Sequence, residues 1–284
     1  MLKSILVPTD GSAESEKALQ VAEQLARAQD AEIILAQVIE SPAWLVAESE
    51  FGASPDIYQQ IADSAEAEAK AGLSALEQEL LAKGIKASTV TRQGHAAGSL
   101  LDCVAEIRPD LVVMATHGRG GLARFAMGSV ADRMVREGDA PVLVVRTWSD
   151  EPGSLNRALV TLDGSDVAEE ALPMAEALAG KPLQTLLLVR ALKDESERAG
   201  AEAYFARIGA RIAKTGLKVE TLAQVGKPPD VIEAAAETVD MVIVCTHGHG
   251  GFHRLRHGGV AEHVMQHVDK PSLLVRASHE PDKH

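Results

Sequence analysis

Two short segments have the residue types and the spacing of a phosphate-binding loop. Ala115-Thr116-His117-Gly118 follows an apolar run, and after nine further residues Gly128-Ser129 stands at the predicted start of a helix. Gly118 lets the backbone turn tightly and approach a ligand closely. The free N–H groups of a helix start and the positive end of its dipole favour an anion. Ser129 offers a hydroxyl that would bind phosphate or cap the helix, and Arg119 and Arg124 add positive charge.

A carboxylate follows the first predicted strand, in Pro8-Thr9-Asp10-Gly11-Ser12. Asp10 could accept hydrogen bonds from an adenine amino group or a ribose hydroxyl. Alternatively, Asp10 and Ser12 only shape the turn and cap the helix that begins at Ala13. Both loops follow the carboxyl ends of strands, where a doubly wound sheet binds its ligands. Together they therefore favour a nucleotide site.

Motifs for other chemistry are absent. The sequence has no G-x-x-x-x-G-K-[ST], no G-x-G-x-x-G after the first strand and no G-x-S-x-G. A P-loop, a dinucleotide fingerprint and an esterase nucleophile are therefore not indicated. His263 and His267 have the i, i+4 spacing of a metal-binding pair, but the sequence shows no obvious ligand set, so we predict no metal site. No general base beside an ordered nucleophile can be identified, so we predict no catalytic residues.

The loop occurs twice in the chain. Cys245-Thr246-His247-Gly248, nine residues and then Gly258-Gly259 repeat the first loop at an offset of 130 residues. The first-strand turn also recurs, with Asp163 at an offset of 153 residues from Asp10. The second copy keeps its carboxylate but has Gly259 where the first copy has a hydroxyl residue. We therefore expect weaker phosphate binding in the second copy, since one donor is lost.

Short β-branched runs alternate with helical patterns, which favours right-handed crossovers and a parallel sheet. The sequence predicts two domains, residues 1–147 and 154–278, with a linker at 148–153. Gly84, Gly138 and Gly216 are predicted to end helices. In the first domain the predicted strands lie at about 3–8, 32–39, 86–91, 111–115 and 141–146, and the predicted helices at about 13–29, 55–82, 97–106 and 129–137.

Composition bears on both the fold class and the kind of partner. Only 3% of residues are aromatic, which favours parallel strands covered by Ala-rich helices. The net charge of -13 opposes binding to nucleic-acid phosphates and to anionic membranes. The start of the chain does not have the pattern of a signal peptide, and no apolar run is long enough to span a membrane. We therefore expect a cytoplasmic protein that binds neither nucleic acid nor membrane.

These motifs resemble those of the universal stress protein family over nearly the whole chain, as a tandem pair. ATP-binding members of that family carry G-x-x-G, nine residues and G-[ST], with an aspartate after the first strand. This chain has Ala115-x-x-Gly118, nine residues and Gly128-Ser129, so the first glycine is replaced by alanine. The resemblance implies an α/β fold of two tandem doubly wound domains. Each would be a five-stranded parallel sheet, adenine-nucleotide alpha-hydrolase-like, in the order 3-2-1-4-5 with helices on both faces.

The resemblance also implies roles for individual residues. Asp10 and the backbone of Val38 would hold adenine and ribose, with Pro8, Thr9 and Met114 beside them. The phosphates would be surrounded by Gly118, Arg119, Gly128, Ser129 and Val130. The ligand would be ATP, or AMP or ADP, with Mg²⁺ as the companion of a triphosphate. In the second domain the corresponding positions are Asp163, Gly248 and Gly258.

The function implied is that of a cytoplasmic stress-response protein that binds an adenine nucleotide and acts as a nucleotide-dependent regulator. Two alternatives stay open: a slow ATPase or autophosphorylating protein, and a nucleotide-free interaction scaffold. In the family the last strands pair across a dimer. Here the apolar strands at 141–146 and 271–276 could pair within one chain as a pseudo-dimer, and two chains could then associate as a homodimer.

Overall fold

A computed structural model describes residues 1–40, 55–116, 127–146, 153–246 and 259–277, with the backbone alone at 55–58. The first half contains β1 (Ser4–Pro8), α1 (Ala13–Gln29), β2 (Glu32–Ile39), α2 (Pro55–Ala82), β3 (Ala87–Gln93), α3 (Ala96–Ile107), β4 (Leu111–Ala115), α4 (Ser129–Glu137) and β5 (Val142–Val145). The second half contains β6 (Arg157–Thr161), α5 (Asp166–Glu169), α6 (Leu172–Ala177), β7 (Thr185–Leu192), α7 (Arg198–Ile212), β8 (Lys218–Val225), α8 (Pro228–Ala236), β9 (Met241–Thr246), α9 (Val260–His267) and β10 (Ser272–Arg276).

Most of the predicted elements have the predicted boundaries. The limits of α1, β2, α2, β4 and α4 agree with the sequence analysis, and those of β1, β3, α3 and β5 differ by one or two residues. Gly84 ends α2 in the left-handed region, at φ 76°. Gly138 also ends its helix, but its backbone is extended. Glycine is required at Gly138 for another reason, since a Cβ atom would lie 2.5 Å from the carbonyl oxygen of Met134.

The helix after the first strand differs between the halves. In the first half, α1 runs for 17 residues, and the Ser12 hydroxyl caps it by accepting a hydrogen bond from the Ser15 N–H. In the second half the same stretch is divided into α5 and α6, of 4 and 6 residues. Pro173 lies in the first turn of α6, a position where its missing N–H is tolerated. A proline there cannot continue a preceding helix without loss of a hydrogen bond.

Within the described residues, ten strands form one sheet in the order β3-β2-β1-β4-β5-β10-β9-β6-β7-β8. Each half has the predicted order 3-2-1-4-5 and is parallel throughout, as in the pairing of β1 with β2 and of β6 with β7. The two halves meet where β5 and β10 pair antiparallel, with Leu143 opposite Leu273. The predicted fold class and the predicted pairing of the two last strands are therefore confirmed. The predicted sheets of the two halves thus form one continuous sheet.

Both faces of this sheet are covered by helices. One face packs on α1, α2 and α5 to α7, and the other on α3, α4, α8 and α9. Each of the two apolar clusters draws residues from both halves, since alternate residues of β5 and β10 point to opposite faces. The halves therefore share their hydrophobic cores across the junction. No helix in the described part of the chain combines the length and the apolar character needed to cross a membrane.

A buried arginine of the first half reaches into the second half. Arg146 follows β5 and is only 4% exposed. Its Nη2 donates to the carbonyl oxygen of Met265 and, at 3.3 Å, to that of Val264, both in the last turns of α9. Carbonyl groups at the end of a helix lack intrahelical donors, and the negative end of the helix dipole favours a cation. Burial lowers the pKa of Arg146, an effect opposed by the carboxylate of Asp269.

The second half makes the reciprocal contact through Arg276, which occupies the equivalent position in β10. Its Nη1 donates to the carbonyl oxygens of Glu137 and Gly138, at 3.1 and 3.3 Å, at the end of α4. The same nitrogen lies 3.6 Å from a carboxylate oxygen of Asp139. Each half therefore supplies an arginine to the carboxyl end of the other half's last helix.

We predict that Arg146→Ala lowers the free energy of unfolding by about 2–3 kcal/mol, because it removes a charged donor from buried carbonyl groups. Urea denaturation followed by circular dichroism measures the change. The matched control is Arg276→Ala, for which we expect about 1 kcal/mol, since water can reach this more exposed side chain and replace its hydrogen bonds. Equal and negligible effects of the two substitutions would contradict the proposed energetic role of the buried arginine.

Candidate nucleotide-binding site

The turn after β1 is organised by Asp10. Its Oδ1 accepts hydrogen bonds from the backbone N–H of Ser12 at 3.1 Å and from the Ser12 hydroxyl at 2.5 Å. The chain can make this tight turn because Gly11 has a φ of 72°. Asp10 thus shapes the turn, as the alternative interpretation of the sequence proposed. It is also half-buried at the carboxyl end of β1, where a ligand of a doubly wound sheet would lie.

Sheet register brings three further predicted residues towards Asp10. Leu6 of β1 pairs with Val112 of β4, so Met114 is level with Pro8 at the ends of these two strands. On the other side of β1, Pro8 pairs with Ala36 of β2, and Val38 lies two residues further along. Met114 is buried, while Pro8, Thr9 and Val38 are half-buried.

Three of the predicted residues pack on the same face of the sheet. Met114 belongs to the apolar cluster beneath α3 and α4, and the partly buried Val38 and Val130 pack against that cluster. The hydrogen bond from the Gly128 N–H to the carbonyl oxygen of Thr116 places the start of α4 beside the end of β4. The arrangement offers an apolar surface for a flat ring, with a carboxylate and a helix start nearby.

The start of α4 differs in detail from the prediction. Gly128 is the N-cap residue, and its N–H donates to the carbonyl oxygen of Thr116 at 2.7 Å. Ser129 is the first helical residue and is exposed, so of the two roles left open for its hydroxyl the helix cap does not hold, and the phosphate contact stays a prediction. No side chain makes the N-cap hydrogen bond at Gly128, within the part of the chain that is described. N–H groups at such a helix start can bind an anion.

Four predicted site residues lie outside the described residues: Gly118, Arg119, Gly248 and Gly258. Their assignment to the phosphates stays a prediction from the sequence. The described part of the first-half site therefore consists of the positions that the resemblance assigns to base and ribose, and the helix start.

The second half reproduces the first turn closely. Asp163 Oδ1 accepts hydrogen bonds from the N–H of Ser165 at 2.9 Å and from its hydroxyl at 2.6 Å. The Ser165 hydroxyl in turn accepts from the N–H of Ala168 at 3.2 Å, as Ser12 does in the first half. Asp163 is exposed, whereas Asp10 is half-buried. The retained aspartate thus keeps the same hydrogen-bonding role in both copies.

A cavity of about 250 Å³ opens beside Asp163, between the ends of β6, β7 and β9 and the starts of α8 and α9. Its lining includes Ala191, Val244 and Gly259, which the repeat offsets place at the positions of Val38, Met114 and Ser129. The sequence analysis identified Asp163 and Gly259 but missed Ala191 and Val244. Applying the same offsets to Val38 and Met114 would have identified Ala191 and Val244.

Cys245 lines the same cavity. Burial, together with the smaller effects of the carboxylates of Glu170 and Asp163, raises the pKa of its thiol to about 12. The thiol therefore stays protonated at neutral pH. A protonated thiol is a poor nucleophile and behaves as a small apolar group.

The predicted pair of histidines lies on α9, away from this cavity. The rings of His263 and His267 stack with centroids 4.2 Å apart, and His263 Nε2 lies 3.1 Å from a carboxylate oxygen of Glu233. Glu233 comes from α8 and could not be identified as a neighbour from sequence spacing alone. Among the residues described, no three histidine, cysteine or carboxylate side chains form a group suited to a metal ion.

Comparison with known proteins points to one family. The model of the universal stress protein family matches residues 1–146 and 155–276. A universal stress protein of Synechocystis is 25% identical over 297 residues, covering 97% of this chain and all of that protein. One of Mycolicibacterium smegmatis is 27% identical over 295 residues and covers 96% of both chains. The crystal structure of a universal stress protein from Archaeoglobus fulgidus superposes with a TM-score of 0.76 at 22% identity, over 96% of this chain and 98% of that one, which supports the fold alone.

We predict that Cys245 reacts with a thiol reagent at pH 8 at least about tenfold more slowly than free glutathione, because its raised pKa leaves little thiolate. The rate should keep rising with pH above 9, where the reaction of glutathione levels off. Mass spectrometry of a Cys103→Ser variant treated with iodoacetamide assigns the labelling to Cys245. Rapid labelling at pH 7 in folded protein would contradict the buried, protonated thiol.

Proposed function

We propose a function from one premise, which is that this chain belongs to the universal stress protein family. In this proposal the protein is a nucleotide-dependent regulator in the stress response. It binds ATP, or another adenine nucleotide, in its first domain, residues 1–147. The observation that supports this most directly is that Asp10, Val38, Met114 and the start of α4 all lie at the carboxyl ends of neighbouring parallel strands.

Each part of this candidate site suits one part of an adenine nucleotide. The apolar surface of Val38 and Met114 suits the adenine ring, with Pro8 and Thr9 beside it. The carboxylate of Asp10 suits the donors of the ribose or the base. Gly128, Ser129 and Val130 begin α4, where free N–H groups and the helix dipole favour phosphate. Gly118 and Arg119 would complete the phosphate contacts.

Mg²⁺ is the expected companion of a bound triphosphate. It prefers oxygen ligands in octahedral geometry and in nucleotide sites takes several of them from phosphate and water. The described residues near the start of α4 present no group of carboxylates that would bind Mg²⁺ by themselves. We therefore propose that the ion arrives with the triphosphate and screens its charge.

Regulation is proposed rather than vigorous catalysis. The Ser12 hydroxyl donates to Asp10 Oδ1, but it also accepts from the Ser15 N–H as the N-cap of α1, so we assign this contact to the turn and the cap rather than to an activated nucleophile. Nucleotide binding would then act through conformation or through a partner. A slow ATPase or an autophosphorylating protein is the alternative, and incubation with γ-labelled ATP separates them through released or protein-bound phosphate.

The proposed setting is the cytoplasm, and the proposed partners exclude nucleic acid and membrane because the chain carries a net charge of -13. The second domain, residues 154–278, acts as the built-in dimer partner of the first through β5 and β10. Two chains would associate further through other surfaces, since this strand pair is already used within the chain.

We predict that Asp10→Ala weakens ATP binding by about tenfold or more, because a hydrogen-bond acceptor at the ribose or base is lost. Isothermal titration of nucleotide-free protein measures the affinity. Asp163→Ala is the matched control and should leave the tight first-half affinity within about twofold. Gly118→Val tests the phosphate segment and should also weaken binding. Unchanged ATP titrations of both Asp10→Ala and Gly118→Val would overturn the assignment.

Freshly purified protein should carry an adenine nucleotide. We predict that heat denaturation releases AMP, ADP or ATP, identified by mass spectrometry of the supernatant, and that Asp10→Ala protein releases less. The comparison of the two proteins corrects for nucleotide that co-purifies without binding at this site. Wild-type protein that releases no nucleotide and binds none on titration would favour the interaction scaffold instead.

A further inference from the structure

The cavity of the second half has the same framework as the proposed base-binding positions of the first half, with smaller side chains at two of them. Asp163 makes the same pair of hydrogen bonds to Ser165 that Asp10 makes to Ser12. Beside it, Ala191 replaces Val38 and Val244 replaces Met114, so both apolar positions have smaller side chains. Smaller side chains on the same framework leave space that a flat ring could fill.

The polar groups near the helix start are lost in the second half. In the first half the hydroxyls of Thr9 and Ser15 lie 3.0 Å apart, and Thr9 Oγ1 also accepts from the Gly11 N–H. The equivalent residues in the second half are Leu162 and Ala168, which both line the cavity. Hydroxyls are therefore missing from these two positions, although Thr161 adds one where the first half has Pro8 and Ser165 keeps that of Ser12.

A third hydroxyl is missing at the start of α9. Gly259 is the N-cap residue there and takes the sequence position of Ser129. Val189, Ile232 and Val260 add apolar surface, and Cys245 contributes a protonated thiol. Moving an ionised group from water to such surroundings is costly unless it is paired and hydrogen-bonded.

We propose that this cavity binds an uncharged, flat heterocycle with a donor group, such as a nucleoside or a free nucleobase, and disfavours the phosphorylated form. Asp163 accepts the donor, and the ring lies between Ala191 and Val244. A volume of about 250 Å³ is at the small end for ligand pockets and suits a ligand without a triphosphate chain. The proposal deepens the proposed function, on which it rests for the position of the base. The chain would then hold two sites of opposite preference, one for the nucleotide and one for its dephosphorylated counterpart.

The test isolates the second site by blocking the first. In nucleotide-free full-length Val38→Phe protein, isothermal titration with adenosine, AMP and ATP should show adenosine bound at least about tenfold more tightly than ATP, at one per chain. Adding Ala191→Phe, which fills the cavity, should abolish adenosine binding. In the wild-type background, Ala191→Phe should still bind ATP in the first half, which shows that the variant is folded.

A gain-of-function variant tests the preference independently. Gly259 has φ -67° and ψ 155°, a conformation that serine adopts without strain. Gly259→Ser in the Val38→Phe background should raise the AMP affinity by about threefold to tenfold, because a hydroxyl donor to phosphate is restored. Its adenosine affinity should change less than its AMP affinity.

Several outcomes would overturn the proposal. These are no adenosine binding to Val38→Phe protein, adenosine binding that survives Ala191→Phe, and ATP binding at the second site as tight as that of adenosine. If the first half does not bind ATP, the ATP titrations of wild-type and Val38→Phe protein will be identical. This result distinguishes failure of the proposed function from failure of the second-site proposal. Asp163→Asn should also weaken adenosine binding, although its amide oxygen can still accept from Ser165. This second variant keeps the proposal testable if Ala191→Phe protein does not fold.

Discussion

The antiparallel pairing of β5 with β10 is the constraint on which the rest of the molecule depends. Each half by itself would end in an apolar strand with unpaired backbone groups, an arrangement that invites association. Pairing the two strands within one chain removes both exposed edges and merges the sheets. Alternate residues of the paired strands then enter the two apolar clusters, so each cluster spans both halves. The two domains form one folded unit because they share this junction.

Joining the halves covalently also allows them to diverge. In a homodimer any substitution appears at both sites, whereas in a tandem chain each copy can change alone. The turn of Asp10 and Ser12 and that of Asp163 and Ser165 keep the same hydrogen bonds. The cavity-lining positions around the second turn are apolar or smaller than their first-half counterparts, as at Leu162 and Ala191. The framework is thus the same in both copies, while the surface of the candidate site differs between them.

The sequence predicted most of the framework, because the framework depends on local patterns and on the repeat. Continuous apolar runs indicated β4 and β5, and the terminal apolar strands indicated the pairing of the halves. The sequence left the role of Ser129 open between a cap and a phosphate contact, because Gly128 and Ser129 are both plausible at a helix start and only backbone geometry identifies Gly128 as the cap. The second-half cavity was missed for a different reason. Its lining includes Ala191 and Val244, which are 53 positions apart in the sequence and reach the same cavity only after folding.

The last helix of each half links its site to the junction. Helix α4 begins at the candidate phosphate position and ends at Arg276 of the other half, and α9 ends at Arg146 in the same way. An anion at the start of a helix and a cation at its end both stabilise the helix dipole. In α4 both ends can be satisfied, by the nucleotide and by the arginine. In α9 the N-cap residue Gly259 takes the sequence position of Ser129, and the buried Arg146 stabilises the carboxyl end of the helix.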